Sequence, residues 1–268
     1  MSRANYMREI YVGGLSEGVM PLTTSYAKLE QEAKAKLPPP AYGYVAGSAS
    51  SEKTYRNNLQ AFDQWEIVPR MLAGVELDSF DMETTLFDRK FPTPFIVSPI
   101  GVQSQLHPEA DKATARAAAS LGVPFTLSSA TSTAMEEVVK SAEFDADEPG
   151  SEGWFQLYWP QDDDITKSLL DRAKKAGYKV LVVTLDTWSL GWRPQDLDRA
   201  YNPFLTGSGT ANLFTDPVFI EKFCDGKSPT RKDATKEEIL EASMACISQL
   251  TNGNSREWSE LKLLREMW

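Results

Sequence analysis

Short apolar runs alternate with amphipathic stretches through the middle of the chain. Val180–Val183 is a β-branched apolar run followed by polar and aromatic residues, and it predicts a strand that is buried on both faces. Three similar runs come before it, each followed by apolar positions at helical spacing: FIVSP (95–99), PFTLSS (124–129) and WFQLYWP (154–160). Strand and helix therefore alternate four times, which predicts an α/β architecture with a parallel sheet.

The pattern differs on either side of this part of the chain. Residues 1–22 have no periodicity and predict a flexible N-terminal arm. Residues 23–93 predict a helical segment that ends in a small hairpin at FDRKFP (87–92). Residues 94–268 are predicted to form a partial (β/α) barrel, which includes a lid loop at 195–235 because long segments rich in Gly, Asn and Pro are commonly lids.

Composition excludes several classes of partner. The chain has 268 residues and a formal net charge of −10, whereas nucleic-acid binding usually needs a basic surface, so no nucleic-acid partner is expected. No apolar run approaches the ~18 residues of a membrane span, and the N-terminus lacks a signal-peptide core, so no membrane partner is expected. Cys224 and Cys246 do not make a disulfide framework and have no metal-ligand neighbours. A cytoplasmic location is expected, with a peroxisomal location as the alternative.

Polar residues follow each predicted strand. Ser98–Gly101 ends the first, Ser128 lies at the end of the second, Gln156 and Tyr158 share one side of the third, and Thr184 follows the fourth. The carboxyl ends of parallel strands meet at one edge, so these neutral donors and acceptors would suit a flat heteroaromatic ring. Taken singly, each residue could equally be an ordinary strand-end cap.

Six motifs in order resemble the FMN-dependent 2-hydroxy-acid oxidases and dehydrogenases, and they are most similar to lactate 2-monooxygenase-like members. They are YGYVAGSAS (42–50), FIVSPIGV (95–102), ATARAAASLG (113–122), TLSSATST (126–133), WFQLY (154–158) and TLDTWSLGWRPQDL (184–197). The resemblance implies a TIM (β/α)8 barrel fold, with FMN at the carboxyl mouth of the barrel. It implies six flavin-contacting positions: Pro99, Ile100, Gly101, Ser128, Gln156 and Thr184.

The resemblance also implies a substrate site for a small (S)-2-hydroxy acid, which would be lactate-like. Tyr42 and Tyr158 would orient the substrate, and Arg193 would pair with its carboxylate, a task that suits a planar guanidinium. The flavin would take the electron pair, and molecular oxygen would reoxidise it. The sequence leaves open which acid is oxidised, whether the activity is that of an oxidase or a monooxygenase, and whether the chain forms a homo-oligomer.

The chain departs from the family pattern after the fourth strand. Only about the first four β/α units are present, so a half barrel is expected, and neither the family's histidine base nor the late phosphate-binding loops have a counterpart. The single histidine, His107, falls before the first barrel helix, where a helix-entry role is expected. No catalytic residue is therefore assigned. The chain is expected to be the N-terminal half of an oxidase, and the alternative is a catalytically inactive half barrel that binds flavin or a partner protein.

Overall fold

The computed structural model describes residues 3–16, 18, 22–74, 81–144, 152–251, 253 and 255–268. The chain divides into two compact units. The first unit combines Met1–Asp81 with Arg193–Arg199, and the second combines Met82–Trp192 with Ala200–Trp268. None of the helices in the described ranges combines the length and the apolar character that a membrane crossing requires.

The first unit is helical in its described part. Its helices are α1 (Arg3–Ser16), α2 (Tyr26–Lys36), α3 (Pro39–Ala46), α4 (Lys53–Phe62) and the short α8 (Pro194–Leu197). Pro38, the first of three consecutive prolines after α2, is the N-cap residue of α3. Pro39 and Pro40 occupy the first turn of α3, where a missing N–H costs no hydrogen bond.

Helix α1 corrects the prediction of an N-terminal arm without regular structure. Residues 3–12 are mostly good helix formers, and the Gly13–Gly14 pair falls only in the last turn, where glycine interrupts few hydrogen bonds. The absence of an apolar periodicity therefore did not exclude a helix here. The described side chains of α1 are mostly exposed, which agrees with the lack of an apolar stripe.

The second unit is built on a parallel sheet in the order β3 (Phe125–Leu127), β4 (Gly153–Leu157), β5 (Val180–Val183). Phe155 of β4 pairs with Leu127 on one side and with Leu181 on the other. The predicted hairpin is confirmed as β1 (Thr84–Leu86) and β2 (Arg89–Phe91), which pair antiparallel. Its two turn residues both have positive φ, the conformation of the tight turns that match strand twist.

Helices cross over between the strands, as the alternation predicts. They are α5 (Ala110–Ser120), α6 (Met135–Ala142) and α7 (Asp163–Ala176). The side chain of Asp162 accepts from the N–H groups of Asp164 and Ile165 at the start of α7, and Gly177 ends the helix at φ 100°. The core lies between these helices and the sheet, where Leu127, Phe155, Leu157, Ile165 and Leu170 are buried.

The strand predicted at 95–99 is reduced to a single parallel bridge. Val97 pairs with Phe125, its N–H donates to the Pro124 carbonyl, and its carbonyl accepts from Thr126. Phe95 and Ile96 are exposed, so this segment is not the buried strand that its apolar run predicts. In the described part of the chain this segment has a sheet neighbour on one side only. The number of neighbours that a strand has cannot be predicted from an apolar run alone.

The prediction that Val180–Val183 is buried on both faces is also wrong. All four residues of β5 are half-buried. Among the described residues β5 pairs with β4 alone, so it is an edge strand of a three-stranded sheet. The described residues form no closed barrel. The α/β class is confirmed, while the half-barrel arrangement stays a prediction.

The segment predicted as a lid loop at 195–235 contains regular structure. It holds α9 (Ala211–Phe214) and α10 (Pro217–Phe223), and Leu213, Phe214 and Phe219 belong to the core. Asp216 is buried between the two helices, where its carboxylate accepts from Ser168 and Arg172. This long-range ion pair corrects the prediction of a single loop, because it holds the segment against α7. The final helices are α11 (Lys236–Leu250) and α12 (Leu261–Met267).

Candidate functional site

Gln156 joins the carboxyl ends of all three strands of the sheet. It lies in β4, and its side chain is 1% exposed. Its Nε2 donates to Thr184 Oγ1 at 2.9 Å, and its Oε1 accepts from the Ser129 N–H at 2.9 Å and from Ser128 Oγ at 3.3 Å. The structure therefore brings together three residues that the sequence places at strand ends, Ser128, Gln156 and Thr184.

Backbone pairing determines where these side chains lie. The Thr184 N–H donates to the Leu157 carbonyl at 3.1 Å, which continues the parallel ladder one residue beyond β5. Thr184 is thus level with the end of β4, and its hydroxyl lies beside the Gln156 amide. The sheet register brings neutral donors and acceptors to one edge, a set that suits hydrogen bonding to a heteroaromatic ring.

Ser129, which the sequence also places at the end of the predicted second strand, is a member of this cluster to which the sequence analysis assigned no role. Its Oγ donates to the Gln156 carbonyl at 2.7 Å and accepts from the Tyr158 N–H at 3.0 Å. The hydroxyl thereby holds the chain just after β3 against the end of β4. The signal in the sequence was the pair of adjacent serines at the end of a predicted strand.

Gly101 makes a close backbone approach to the same edge. A Cβ atom at this position would lie 2.8 Å from the Cβ of Ala130 and 3.0 Å from its carbonyl oxygen. The next residue, Val102, donates its N–H to that same carbonyl at 2.8 Å. The segment that includes Pro99 and Ile100 is therefore bound to the loop after β3, with both of those residues exposed.

Tyr158 is half-buried and follows β4 directly. Its backbone N–H donates to Ser129 Oγ, which fixes the position of Tyr158 two residues after Gln156. Gln156 precedes Leu157 within β4, so their side chains lie on opposite faces of the sheet, whereas Tyr158 follows the strand and packs in part against the core. The substrate role of Tyr158 stays a prediction.

Tyr42 and Arg193 belong to the first unit. The Tyr42 hydroxyl donates to Glu30 Oε1 at 3.1 Å, and the Lys34 ammonium lies 5.5 Å from its ring centroid. The hydrogen bond to Glu30 raises the pKa of Tyr42 above its ordinary value, so the hydroxyl keeps its proton. The guanidinium of Arg193 lies 5.7 Å from the ring centroid of Tyr44, a cation–π contact. Their substrate roles also stay predictions.

His107 is exposed and lies in the loop before α5. Its Nδ1 accepts from the Glu109 N–H at 3.1 Å, which agrees with the helix-entry role expected from the sequence. Cys224 and Cys246 are both free thiols. In the part of the chain that the structure describes, no group of three or more histidine, cysteine or acidic side chains is arranged to hold a metal ion.

The sequence is similar to a well-populated family. The family described as FMN-dependent dehydrogenase matches residues 33–268. An FMN-dependent alpha-hydroxy acid dehydrogenase of Schizosaccharomyces pombe is 39% identical over 98% of this chain and 63% of its own length. An L-lactate oxidase of Lysinibacillus sphaericus is 36% identical over 75% of this chain and 50% of its own length. The chain thus spans less than two thirds of the length of these relatives.

Solved structures with a similar fold include mandelate oxidase. One mandelate oxidase structure aligns over 92% of this chain and 60% of its own length, with a TM-score of 0.70 and 26% sequence identity. Another, with benzoyl-formic acid, aligns over 68% of this chain and 51% of its own length, with a TM-score of 0.60 and 32% identity. The backbone likeness therefore covers most of this chain.

Proposed function

Since the chain belongs to the FMN-dependent dehydrogenase family, we propose that the Gln156 cluster binds the flavin ring in an oxidation of 2-hydroxy acids. The observation that carries this proposal is the set of hydrogen bonds in which Gln156 accepts from Ser128 and Ser129 and donates to Thr184. These groups are neutral, and together they both donate and accept. The flavin ring carries carbonyl oxygens and ring nitrogens, so the donor set fits it.

The flavin-facing residues have separate tasks in this proposal. Ser128, Gln156 and Thr184 hold the ring by side-chain hydrogen bonds. Pro99, Ile100 and Gly101 approach it through the backbone, and the sequence resemblance supports that part. The close contact of Gly101 with Ala130 holds this segment beside the loop that follows β3. FMN, when bound, accepts the electron pair that leaves the substrate.

The proposed substrate is a small, lactate-like (S)-2-hydroxy acid. Arg193 binds its carboxylate, and Tyr42 and Tyr158 orient it. The sequence resemblance supports these three assignments, and the similarity to an L-lactate oxidase supports the size of the acid. Molecular oxygen is the proposed final electron acceptor.

The proposed architecture is the first part of a (β/α)8 barrel. The bridge at Val97 and strands β3, β4 and β5 correspond to four consecutive parallel positions, with α5, α6 and α7 as their crossovers. The likeness to mandelate oxidase supports this arrangement. In such barrels the chemistry lies at the carboxyl ends of the strands, which is where the Gln156 cluster lies.

A second candidate function is flavin or partner binding without catalysis. The observation that favours it is the position of His107, the single histidine of the sequence, whose Nδ1 is used by the Glu109 N–H at a helix entry. A histidine is the side chain best suited to take a proton near neutral pH. Turnover of lactate by the purified chain separates the two candidates.

A flavin titration of the purified chain tests the proposal. The visible absorption of added FMN should be perturbed on binding, and Gln156→Glu should weaken binding about tenfold or more, because the amide donor to Thr184 is lost from a buried site. Gln249→Glu is the matched control, since Gln249 is a buried glutamine whose Oε1 accepts from the Asp162 N–H. Equal affinity of wild type and Gln156→Glu for FMN would refute the ring site.

A further inference from the structure

The backbone directly after Gly101 is held in a strained conformation. Val102 has a φ of 56°, in the left-handed region that β-branched residues rarely adopt, and it is 1% exposed. Its N–H donates to the Ala130 carbonyl at 2.8 Å. Strain of this kind persists only where the surrounding structure enforces it, and it is common at ligand-binding sites.

The buried side chain of Gln103 stabilises the turn at Ile100–Val102. Its Nε2 donates to the Ile100 carbonyl at 3.1 Å and to Asp111 Oδ1 at 3.3 Å. Its Oε1 accepts from Thr114 Oγ1 at 2.6 Å. Both ends of the amide are therefore in use, which fixes its orientation and the position of the Ile100 carbonyl.

Asp111 connects the Gly101 turn to the loop after β3. It lies in the first turn of α5 and is fully buried. One carboxylate oxygen accepts from Gln103, and the other accepts from the Ser132 N–H at 3.0 Å. A second link runs in parallel, since the Ser104 N–H donates to Ser132 Oγ at 3.2 Å. One buried carboxylate thus connects the turn that follows the Val97 bridge to the loop that follows β3.

We propose that Gln103 and Asp111 are positioning residues for the flavin-facing segment Pro99–Gly101. This inference rests on the proposed function, because the segment faces flavin only if that proposal holds. In this proposal neither side chain contacts the ring. Gln103 acts through the Ile100 carbonyl, and Asp111 acts by keeping the Gln103 amide oriented and by holding the neighbouring loop through Ser132.

The first variant is Asp111→Asn, which keeps the shape of the side chain. An asparagine offers one acceptor oxygen, so its NH2 group would face either Gln103 Nε2 or the Ser132 N–H, donor against donor. The second variant, Gln103→Met, keeps the volume and removes both hydrogen-bonding ends of the amide. The control is Asp216→Asn, another fully buried carboxylate of the second unit, which binds Ser168 and Arg172 instead.

Four measurements are made on each chain. The first is the affinity for FMN and for lumiflavin, which has the ring without the phosphate. The second is the absorption spectrum of the bound flavin at saturation. The third is hydrogen exchange of the backbone over residues 98–106 and 128–133 without flavin. The fourth is thermal unfolding, which measures overall stability.

Asp111→Asn and Gln103→Met should each weaken flavin binding by about tenfold. Each should also shift the bound spectrum and accelerate exchange in residues 98–106. Asp216→Asn should change flavin affinity less than twofold at an equal or larger loss of thermal stability. The inference would be overturned if flavin affinity and spectrum were unchanged in both Asp111→Asn and Gln103→Met. An equal loss of flavin affinity in Asp216→Asn would also overturn it.

The two proposals fail in different ways. If the wild-type chain changes the absorption spectrum of neither FMN nor lumiflavin, the ring site is refuted. Hydrogen exchange alone then decides whether Gln103 and Asp111 hold the segment Pro99–Gly101. Equal exchange rates over residues 98–106 in wild type and both variants would then overturn the positioning role. If wild type binds flavin and the variants bind it equally well, only the positioning role is refuted. If Asp111→Asn does not fold, Gln103→Met carries the same test.

Discussion

The Gln156 Nε2 atom donates to Thr184 Oγ1 at 2.9 Å, across the boundary between β4 and the residue that follows β5. The two residues are 28 positions apart in sequence. Their contact depends on the parallel register of the two strands, in which Gln156 pairs with Val182. Loss of this hydrogen bond should therefore affect both the stability of the sheet and the proposed flavin site.

Replacing Thr184 with valine should destabilise the protein and weaken flavin binding. Valine has the same shape but no hydroxyl, so the buried Gln156 amide loses its acceptor, at a cost of about 1–3 kcal/mol. Thr184→Ser keeps the hydroxyl and is the matched control. Urea unfolding and FMN titration measure the two effects. A valine variant that matches the serine variant in both measurements would contradict this account of the contact.

Gly101→Ala should destabilise the second unit by about 1–3 kcal/mol, because the added methyl would overlap Ala130 in a packed site. The double variant Gly101→Ala with Ala130→Gly removes the contact at 2.8 Å but leaves the one to the Ala130 carbonyl at 3.0 Å. We therefore expect a partial rescue of the unfolding free energy. The absence of any destabilisation in the single variant would show that the segment can move away from Ala130.

Glu238 should make the stability of α11 depend on pH. Its carboxylate accepts from the Thr235 N–H and pairs with Arg231, and these contacts lower the pKa of Glu238 below its ordinary value. Because the folded pKa is lowered, the stabilisation is present above the pKa of the unfolded chain, about 4.3, and is lost as pH falls through the folded pKa.

Thermal unfolding of Glu238→Gln across pH 7 to 3 tests this prediction. The difference in midpoint from wild type should be largest near neutral pH and should shrink below about pH 4. Glu237→Gln, which removes a charge from the same first turn of α11, is the control for a general effect of charge. A difference in unfolding midpoint between wild type and Glu238→Gln that stays constant down to pH 3 would be incompatible with the lowered pKa of Glu238.

The two cysteines should differ in reactivity. Complete burial raises the pKa of Cys246 to about 12, so almost none of it is thiolate at pH 8. Cys224 is half-buried, and burial raises its pKa as well, yet alkylating reagents can reach it. Iodoacetamide at pH 8 should modify Cys224 first and Cys246 only after unfolding in urea, as measured by peptide mass spectrometry. Equal modification rates in the native protein would contradict the burial of Cys246.

The sequence was sufficient where the information is local. The position of α7 follows from an aspartate cap, an apolar stripe and a terminal glycine, and all three are confirmed. The hairpin and the crossover helices follow from equally local patterns. The strand-end positions of Ser128, Gln156 and Thr184 could also be predicted, because parallel strands bring their carboxyl ends to one edge.

The sequence also contained a signal for the buried position of Asp111 that the sequence analysis did not use. Asp111 shares the buried face of α5 with Ala115 and Ala118, at helical spacing. A lone acidic residue on an otherwise apolar helix face indicates a buried carboxylate with specific partners. Those partners could not be named, since the Ser132 N–H comes from a different loop and Gln103 from a strained turn.

By itself the sequence determined the α/β class, most of the helices and strands, and which polar residues end the strands, because those properties depend on residues within one or two turns of each other. Tertiary structure decided the rest. Only the fold shows that Val97 makes one bridge, that β5 is an edge strand, and that Asp216 holds residues 211–223 in the core through Arg172. These depend on contacts between residues far apart in sequence, whose geometry local propensity does not specify.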